Sequence, residues 1–239
     1  MLELLTAFVL LVNDSMENKF IYKERGYSRN LILLPGWASD ASVFDTLNVP
    51  YNYLMPVGPV RSVTIVEDVK TEVEKLELDH LSLLGYSLGG FKAVELAHVF
   101  NGDVECVILA GIRRRYKSAQ IRYVKESLRK NKDVYLNLFY RSCFYDESNY
   151  KRFMQRFFSA FSASFDLDYL LGELDSLHEC SLESADLRGI KKCVIYHGAE
   201  DIIAPLYEVR SLVDKTDVSL NIIDKAGHAV FLEGECFER

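Results

Sequence analysis

The chain has 239 residues, of which 49% are hydrophobic and 26% are charged, and its formal net charge is −7. This composition is that of an ordinary globular protein rather than a disordered chain, and the length predicts one large domain or one domain with an insertion. The cysteines are odd in number and none has the CxxC spacing, so we expect reduced thiols in a cytoplasmic protein and no zinc site. They are Cys106, Cys143, Cys180, Cys193 and Cys236.

The N-terminal stretch contains a short apolar run at residues 4–12. No basic segment precedes it, no clear cleavage site follows it, and it is too short to span a bilayer. We therefore expect an upstream extension or a packed N-terminal segment rather than a signal peptide. Met16 is a candidate natural start.

Apolar, β-branched segments alternate with amphipathic helical patterns along the rest of the chain. This alternation predicts an α/β fold, with a mostly parallel central sheet and helices on both faces. The predicted strands are 30–36, 51–58, 81–85, 104–111, 192–198 and 218–224, and the predicted helices between them are 63–76, 88–100 and one opening near Pro205.

Residues 112–187, which we call the helical insertion, interrupt this alternation. They contain no convincing strand and predict helices at 118–130, 133–143, 150–163 and 167–177. We expect a lid formed by this segment and a core formed by residues 1–111 and 188–239.

The pattern G-x-S-x-G stands at residues 85–89, between a predicted strand and a predicted helix. In this context the pattern is typical of a nucleophile elbow, in which a sharp turn exposes the serine hydroxyl. Ser87 is therefore the candidate nucleophile, and the backbone N–H of Leu88, at the helix start, is a candidate oxyanion donor. The alternative is a glycine-rich turn with an idle serine.

A nucleophilic serine needs a base and an acid that orients the base. His228 follows the last predicted strand and Asp201 follows the strand before it. Both positions lie at carboxyl ends of strands, where open α/β sheets build their sites. Glu200 and Asp224 are rival acids. The other histidines (His80, His98, His178 and His197) have no HxH or HExxH spacing, so we expect neither a catalytic metal nor a cofactor.

Trp37, the only tryptophan, follows the first predicted strand in the sequence LLPGWASD. Its backbone N–H is the second candidate oxyanion donor, and Gly36 permits the turn. We expect the indole to form a wall of the substrate pocket. The alternative is that this side chain packs in the core.

Basic residues are concentrated in the helical insertion. Between residues 113 and 156, thirteen basic residues stand against four acidic ones, so this segment carries +9 and the remainder of the chain −16. Such a patch attracts an acidic partner. A solvated surface and an anionic membrane are alternatives. Nucleic acid is disfavoured because no nucleic-acid motif accompanies the patch and the pI is about 5.3.

These motifs resemble the α/β-hydrolase superfamily over residues 30–231. More narrowly, LLPGWASDASVF, LLGYSLGGFKA, the run from LDSLHEC to DIIAP, and AGHAVFLEGE resemble BioH-type pimeloyl-acyl-carrier-protein methyl ester esterases. Pro35 departs from the His-Gly of many relatives, the segment between Trp37 and Ser87 is short, and the chain stops soon after His228.

The resemblance implies a serine carboxylesterase that removes the methyl ester from a pimeloyl chain carried by acyl carrier protein. It implies substrate contacts at Trp37, Tyr135 and Phe139. The acidic carrier is expected to dock on the insertion, and we expect a monomer without stable membrane insertion. A general carboxylesterase or lipase-like enzyme acting on short esters without a carrier is the alternative. The candidate docking residues are Arg122, Arg129, Arg152 and Arg156.

Overall fold

Seven strands form one sheet in the computed structural model, which describes residues 19–214 and 216–234. The strand order is β1-β3-β2-β4-β5-β6-β7, and every neighbouring pair is parallel except β1 and β3. The predicted, mostly parallel sheet is therefore confirmed. The strands are β1 (Phe20–Lys23), β2 (Asn30–Leu34), β3 (Asn52–Pro56), β4 (Leu81–Tyr86), β5 (Val104–Ala110), β6 (Cys193–Gly198) and β7 (Ser219–Ile223).

The central strands β2 and β4 are buried along their whole length because helices cover the sheet, which explains their continuous apolar sequences. A 3-10 turn at Ala41–Phe44 follows β2. The helices are α1 (Ile65–Lys75), α2 (Leu88–Val99), α3 (Ser118–Lys130), α4 (Lys132–Ser142), α5 (Glu147–Phe153), α6 (Ser159–Ser164), α7 (Leu167–Glu179) and α8 (Leu206–Val213).

Strand β1 was not among the predicted elements. It is antiparallel to β3 at the edge of the sheet, and its residues alternate only partly between buried and exposed positions. Four residues of this kind carry too short a pattern to be identified from sequence alone. The expectations for residues 1–15 and for Cys236 lie outside the described residues.

The helical insertion lies between β5 and β6 and has its own aromatic core. A single predicted helix at 150–163 is in fact α5, a π-helical turn (Met154–Phe158) and α6 in succession. Consecutive rings pack at centroid distances of 5.1 to 5.5 Å along this stretch, and they are Phe153, Phe157, Phe161 and Phe165.

Hydrogen bonds between distant segments hold the insertion against the loop that follows β2. The Tyr140 hydroxyl donates to the Ala38 carbonyl at 2.7 Å, and the indole N–H of Trp37 donates to the Leu170 carbonyl at 3.1 Å. Both donors are buried, so each bond also satisfies a polar group that would otherwise be costly to bury.

None of the helices in residues 19–214 and 216–234 combines the length and the apolar character needed to cross a membrane.

Candidate active site

Ser87 occupies a sharp corner between β4 and α2. Its backbone has φ 52° and ψ −116°, a conformation rarely adopted by residues other than glycine. The glycines on either side have no room for a side chain. A Cβ on Gly85 would lie 2.4 Å from the Gly89 carbonyl oxygen, and a Cβ on Gly89 would lie 2.2 Å from the Leu34 carbonyl oxygen. The G-x-S-x-G spacing therefore reflects close backbone packing that presents the serine.

Ser87, His228 and Asp201 form an unbroken series of side-chain hydrogen bonds. His228 Nε2 lies 3.0 Å from Ser87 Oγ, and His228 Nδ1 lies 2.8 Å from Asp201 Oδ2. All three residues are buried. Because an ionised carboxylate only accepts, Nδ1 carries the imidazole proton and Nε2 is the acceptor that faces the serine hydroxyl.

Asp201 is held in its ionised form. Burial alone would raise its pKa, but the charge and the hydrogen bond of His228 oppose this and the net pKa lies below the ordinary value. The other carboxylate oxygen, Oδ1, accepts backbone N–H bonds from Ile203 at 2.9 Å and from Ala204 at 2.8 Å. The rival acids Glu200 and Asp224 are exposed, and it is Asp201 that contacts the histidine.

His197 supports the loop that carries Asp201. Its Nε2 donates to the Ala204 carbonyl at 2.7 Å, and the Ala204 N–H in turn donates to Asp201. The ring is fully buried, and burial lowers its pKa from the ordinary value. His197 therefore shapes the loop that carries Asp201.

The two predicted oxyanion donors lie on either side of Ser87. Gly36, before Trp37, is so close to the serine that an added Cβ would be 3.0 Å from Ser87 Cβ. Ala38, after Trp37, has a left-handed φ of 54°. Neither the Trp37 N–H nor the Leu88 N–H donates to an acceptor in the described part of the chain. Both backbone groups are thus available to an incoming oxygen.

A cavity of about 530 Å³ opens onto Ser87. It is lined by all three residues that the family resemblance implied as substrate contacts, namely Trp37, Tyr135 and Phe139. The rings of Trp37 and Phe139 pack edge to face with their centroids 4.9 Å apart. Most of the remaining walls come from the helical insertion and are apolar. They include Ile121, Val124, Leu138, Leu174 and Leu177.

Two polar residues of this cavity, Tyr116 and Arg113, were missed by the reasoning from sequence. Both follow β5 and line the cavity together with Ser87, and the Arg113 guanidinium carbon lies 4.7 Å from the centroid of the Tyr116 ring. Their position after the carboxyl end of a central strand is the signal that could have identified them. In the sequence analysis Arg113 was counted only as part of the basic segment, and Tyr116 was not singled out.

The four candidate docking arginines occupy two different places. Arg122 and Arg129 are exposed on α3, and neither makes an ion pair with a residue of the described chain. Arg152 instead bonds to Asn149, and Arg156 pairs with Asp45 at 2.9 Å. These last two arginines border a second cavity, of about 560 Å³, which is separate from the one at Ser87.

Within the ranges that the structure covers, no cluster of three or more His, Cys, Asp or Glu side chains is arranged to hold a metal ion. The four cysteines in these ranges (Cys106, Cys143, Cys180 and Cys193) form no disulfide with one another.

Comparison with known proteins identifies relatives in fold. The sequence family described as alpha/beta hydrolase fold matches residues 36–235. No curated protein sequence matches the chain significantly.

Three solved structures illustrate the similarity in fold. An esterase from Exiguobacterium antarcticum has a TM-score of 0.75 at 18% identity, covering 90% of both chains. A bromoperoxidase from Bacillus anthracis has a TM-score of 0.74 at 18% identity, covering 88% of both. A thermophilic esterase from Thermogutta terrifontis has a TM-score of 0.70 at 18% identity, covering 90% of this chain and 88% of that one.

Proposed function

Because this chain belongs to the alpha/beta hydrolase family, we propose that it is a serine carboxylesterase in which Ser87, His228 and Asp201 are the catalytic triad. The observation that carries the proposal is the buried series of hydrogen bonds from Ser87 Oγ through the imidazole to Asp201, at 3.0 and 2.8 Å. These distances are those at which a base can take a proton directly from a nucleophile.

The geometry supports a two-step hydrolysis. Ser87 Oγ attacks the ester carbonyl while His228 Nε2 takes its proton, and Asp201 stabilises the resulting imidazolium. The Trp37 and Leu88 N–H groups bind the carbonyl oxygen as it becomes negative. His228 then gives its proton to the departing alkoxide, and the alcohol leaves. Water, deprotonated by the same histidine, releases the acid from Ser87.

The walls of the cavity favour an apolar acyl chain. Side chains such as Ile121, Val124, Leu174 and Leu177 surround the approach to Ser87, and such walls bind an aliphatic chain through the area it removes from water. We propose the methyl ester of pimeloyl-acyl carrier protein as the substrate, with residues 112–187 as the lid. The sequence motifs and the apolar walls support this assignment.

The exposed face of α3 is the best-supported docking surface for an acidic carrier. Arg122 and Arg129 are not neutralised by described acidic residues, whereas Arg156 is paired and Arg152 is bonded within its own helix. Neighbouring Ile121 and Val124 face the cavity from the same helix. A carrier held by α3 would therefore stand beside the cavity that receives its acyl chain.

The first experiment tests the chemistry. Purified protein should hydrolyse methyl esters of medium-chain acids and be labelled by a fluorophosphonate, and Ser87→Ala should abolish both. Complementation of a biotin auxotroph that lacks its methyl esterase tests the substrate, with Ser87→Ala as the control. Protein that neither hydrolyses an ester nor reacts with the fluorophosphonate would refute the proposed function.

The second experiment tests the carrier. The double variant Arg122→Glu/Arg129→Glu should raise KM for the carrier-linked ester and spare a small p-nitrophenyl ester. The matched control is Lys191→Glu/Lys192→Glu, which makes the same charge change at exposed positions before β6, at the opposite end of the strands from Ser87. Equal effects on both substrates would overturn the docking surface. Much faster turnover of free short esters than of the carrier-linked ester would favour a general carboxylesterase.

A further inference from the structure

Arg113 is the only charged residue among the described residues that line the cavity at Ser87. It follows β5, and its side chain is 3% exposed, so the guanidinium is removed from bulk water. Burying a cation costs free energy unless its charge is balanced and its N–H groups are hydrogen-bonded. The hydrogen bonds of this side chain therefore indicate what else it can bind.

Three N–H groups of the Arg113 guanidinium have acceptors in the described chain. Nε and Nη2 donate to the two carboxylate oxygens of Glu208, and Nη1 donates to the Ile203 carbonyl at 2.7 Å. A guanidinium carries five N–H donors, so two remain, one on Nη1 and one on Nη2. Neither has an acceptor among the residues that the structure describes.

The face and one edge of the guanidinium are already occupied. The Tyr116 ring covers the face, with its centroid 4.7 Å from the guanidinium carbon, and Glu208 binds the edge formed by Nε and Nη2. The two remaining donors are on the terminal nitrogens of a side chain that borders the cavity. An oxygen atom of a ligand in this cavity would supply the acceptor that they lack.

The charge of Arg113 is balanced by Glu208, whose side chain is 11% exposed. A carboxylate of the ligand would add a second negative charge to a buried ion pair that is already neutral, and its desolvation would be costly. A carbonyl oxygen accepts hydrogen bonds without bringing a charge. The site is therefore suited to a neutral oxygen atom.

Arg113 lies close enough to Ser87 to contact an acyl chain bound there. The Ser87 N–H donates to the Ala110 carbonyl at 2.9 Å, and Arg113 follows Ala110 by three residues. Three residues of chain span at most about 10 Å, which keeps the backbone of Arg113 near the reacting ester. One acyl chain can therefore contact both residues within the cavity they share.

We propose that Arg113 is a specificity-determining residue, which donates hydrogen bonds to a neutral carbonyl oxygen on the acyl chain, several carbons from the ester at Ser87. The inference rests on the proposed ester hydrolysis. A purely aliphatic chain excludes water and leaves the two donors unpaired, so the cavity discriminates against it. The preferred substrates are thus esters whose acyl chain carries a second carbonyl group.

The test compares dimethyl pimelate with methyl nonanoate. Their acyl chains have the same number of atoms in line, and only the first contains a second carbonyl group. The measured quantity is the kcat/KM for the diester divided by that for the nonanoate. We expect this ratio to fall about 10-fold or more in Arg113→Met/Glu208→Leu, which removes both members of the ion pair together.

Two further measurements separate recognition from folding and from charge. Arg113→Lys keeps a cation opposite Glu208 but loses the planar set of donors, so it should lower the same ratio even where the double variant does not fold. Monomethyl pimelate, whose free carboxylate is charged, should be a poorer substrate of the wild type than the diester is.

Arg114→Met/Glu183→Leu is the matched control, because it makes the same substitutions in an exposed ion pair that does not line the cavity. It should leave the ratio unchanged. Loss of the bond to Ile203 would slow both esters alike, so an unchanged ratio in the Arg113 variants would overturn the recognition role. Faster turnover of monomethyl pimelate than of the diester would also overturn it. Wild-type protein inert toward all three esters would instead refute the proposed function itself.

Discussion

The carboxylate of Glu233 accepts a 2.6 Å hydrogen bond from the backbone N–H of Gly227, the residue before His228. The same carboxylate accepts from the N–H groups of Tyr145 at 3.0 Å and Asp146 at 2.7 Å, in the turn between α4 and α5. One side chain therefore connects the loop of His228 with the helical insertion.

Replacing Glu233 should weaken both segments. Glu233→Ala leaves three N–H groups without their acceptor, and we expect a loss of about 2 kcal/mol in the free energy of unfolding, together with a several-fold lower kcat/KM. Urea unfolding and ester hydrolysis measure the two effects. Glu200→Ala is the control, because Glu200 is exposed and its side chain accepts no hydrogen bond from the described residues. Two variants with the same stability and activity would contradict the connection.

Two glycine-to-alanine substitutions should change the free energy of unfolding in opposite directions. Gly89→Ala places a Cβ 2.2 Å from the Leu34 carbonyl oxygen, and we expect it to destabilise the protein by more than about 3 kcal/mol or to prevent folding. Gly172→Ala, within α7, meets nothing within 4 Å and should stabilise by about 0.5 to 1 kcal/mol through its helix propensity. Thermal unfolding of the two variants measures these effects. A stable, active Gly89→Ala variant would disprove that close backbone packing requires glycine at this position.

His197 should make the protein acid-sensitive. Burial lowers its pKa in the folded state below the ordinary 6.5, and Asp201, 3.6 Å away, only partly offsets this. The unfolded state therefore binds a proton at a higher pH than the folded state does, so stability falls as the pH drops below about 6.5. His197→Gln, which keeps a donor for the Ala204 carbonyl, should show a smaller decrease of Tm between pH 7 and pH 5. Parallel Tm curves would contradict the assignment.

The loss of the ion pair between Arg113 and Glu208 should lower the free energy of unfolding more than the loss of a surface ion pair does. The two side chains are 3% and 11% exposed, so Glu208→Gln leaves a guanidinium charge buried without its counter-ion, at a cost of about 3 kcal/mol. Glu72→Gln, which breaks an exposed pair with Lys75, should change stability by less than about 1 kcal/mol. Denaturant unfolding measures both effects. Equal losses of stability for the two substitutions would contradict the larger contribution of the Arg113–Glu208 pair.

The residues of the hydrogen-bonded series, Ser87, Asp201 and His228, could be singled out from the sequence because each one follows the carboxyl end of a strand with a strong apolar pattern. The alternation of apolar strands and helices identified the sheet, and the glycines around Ser87 identified the sharp turn at the end of β4. Tyr116 also follows the carboxyl end of a strand, but the sequence does not show that its side chain lines the cavity. That placement involves the contact with Arg113, which no local pattern encodes.

The helical insertion was predictable in outline and less so in detail. The bounds of α3 match the prediction for residues 118–130, because that helix has a clear apolar face. The π-helical turn at Met154–Phe158 was not anticipated, since the aromatic rings that pack there come from several turns of helix and from Tyr140.

The cavity beside Ser87 is assembled from two separate parts of the sequence. The reactive groups sit on loops that follow sheet strands, while most of the apolar wall belongs to α3, α4 and α7. We therefore expect substitutions of the wall residues in these helices to lengthen, shorten or reshape the space for a ligand while the residues of the hydrogen-bonded series stay the same. For protein engineering, the consequence is that substrate preference can be sought by changing these helices alone, with the proposed chemistry of Ser87, His228 and Asp201 kept.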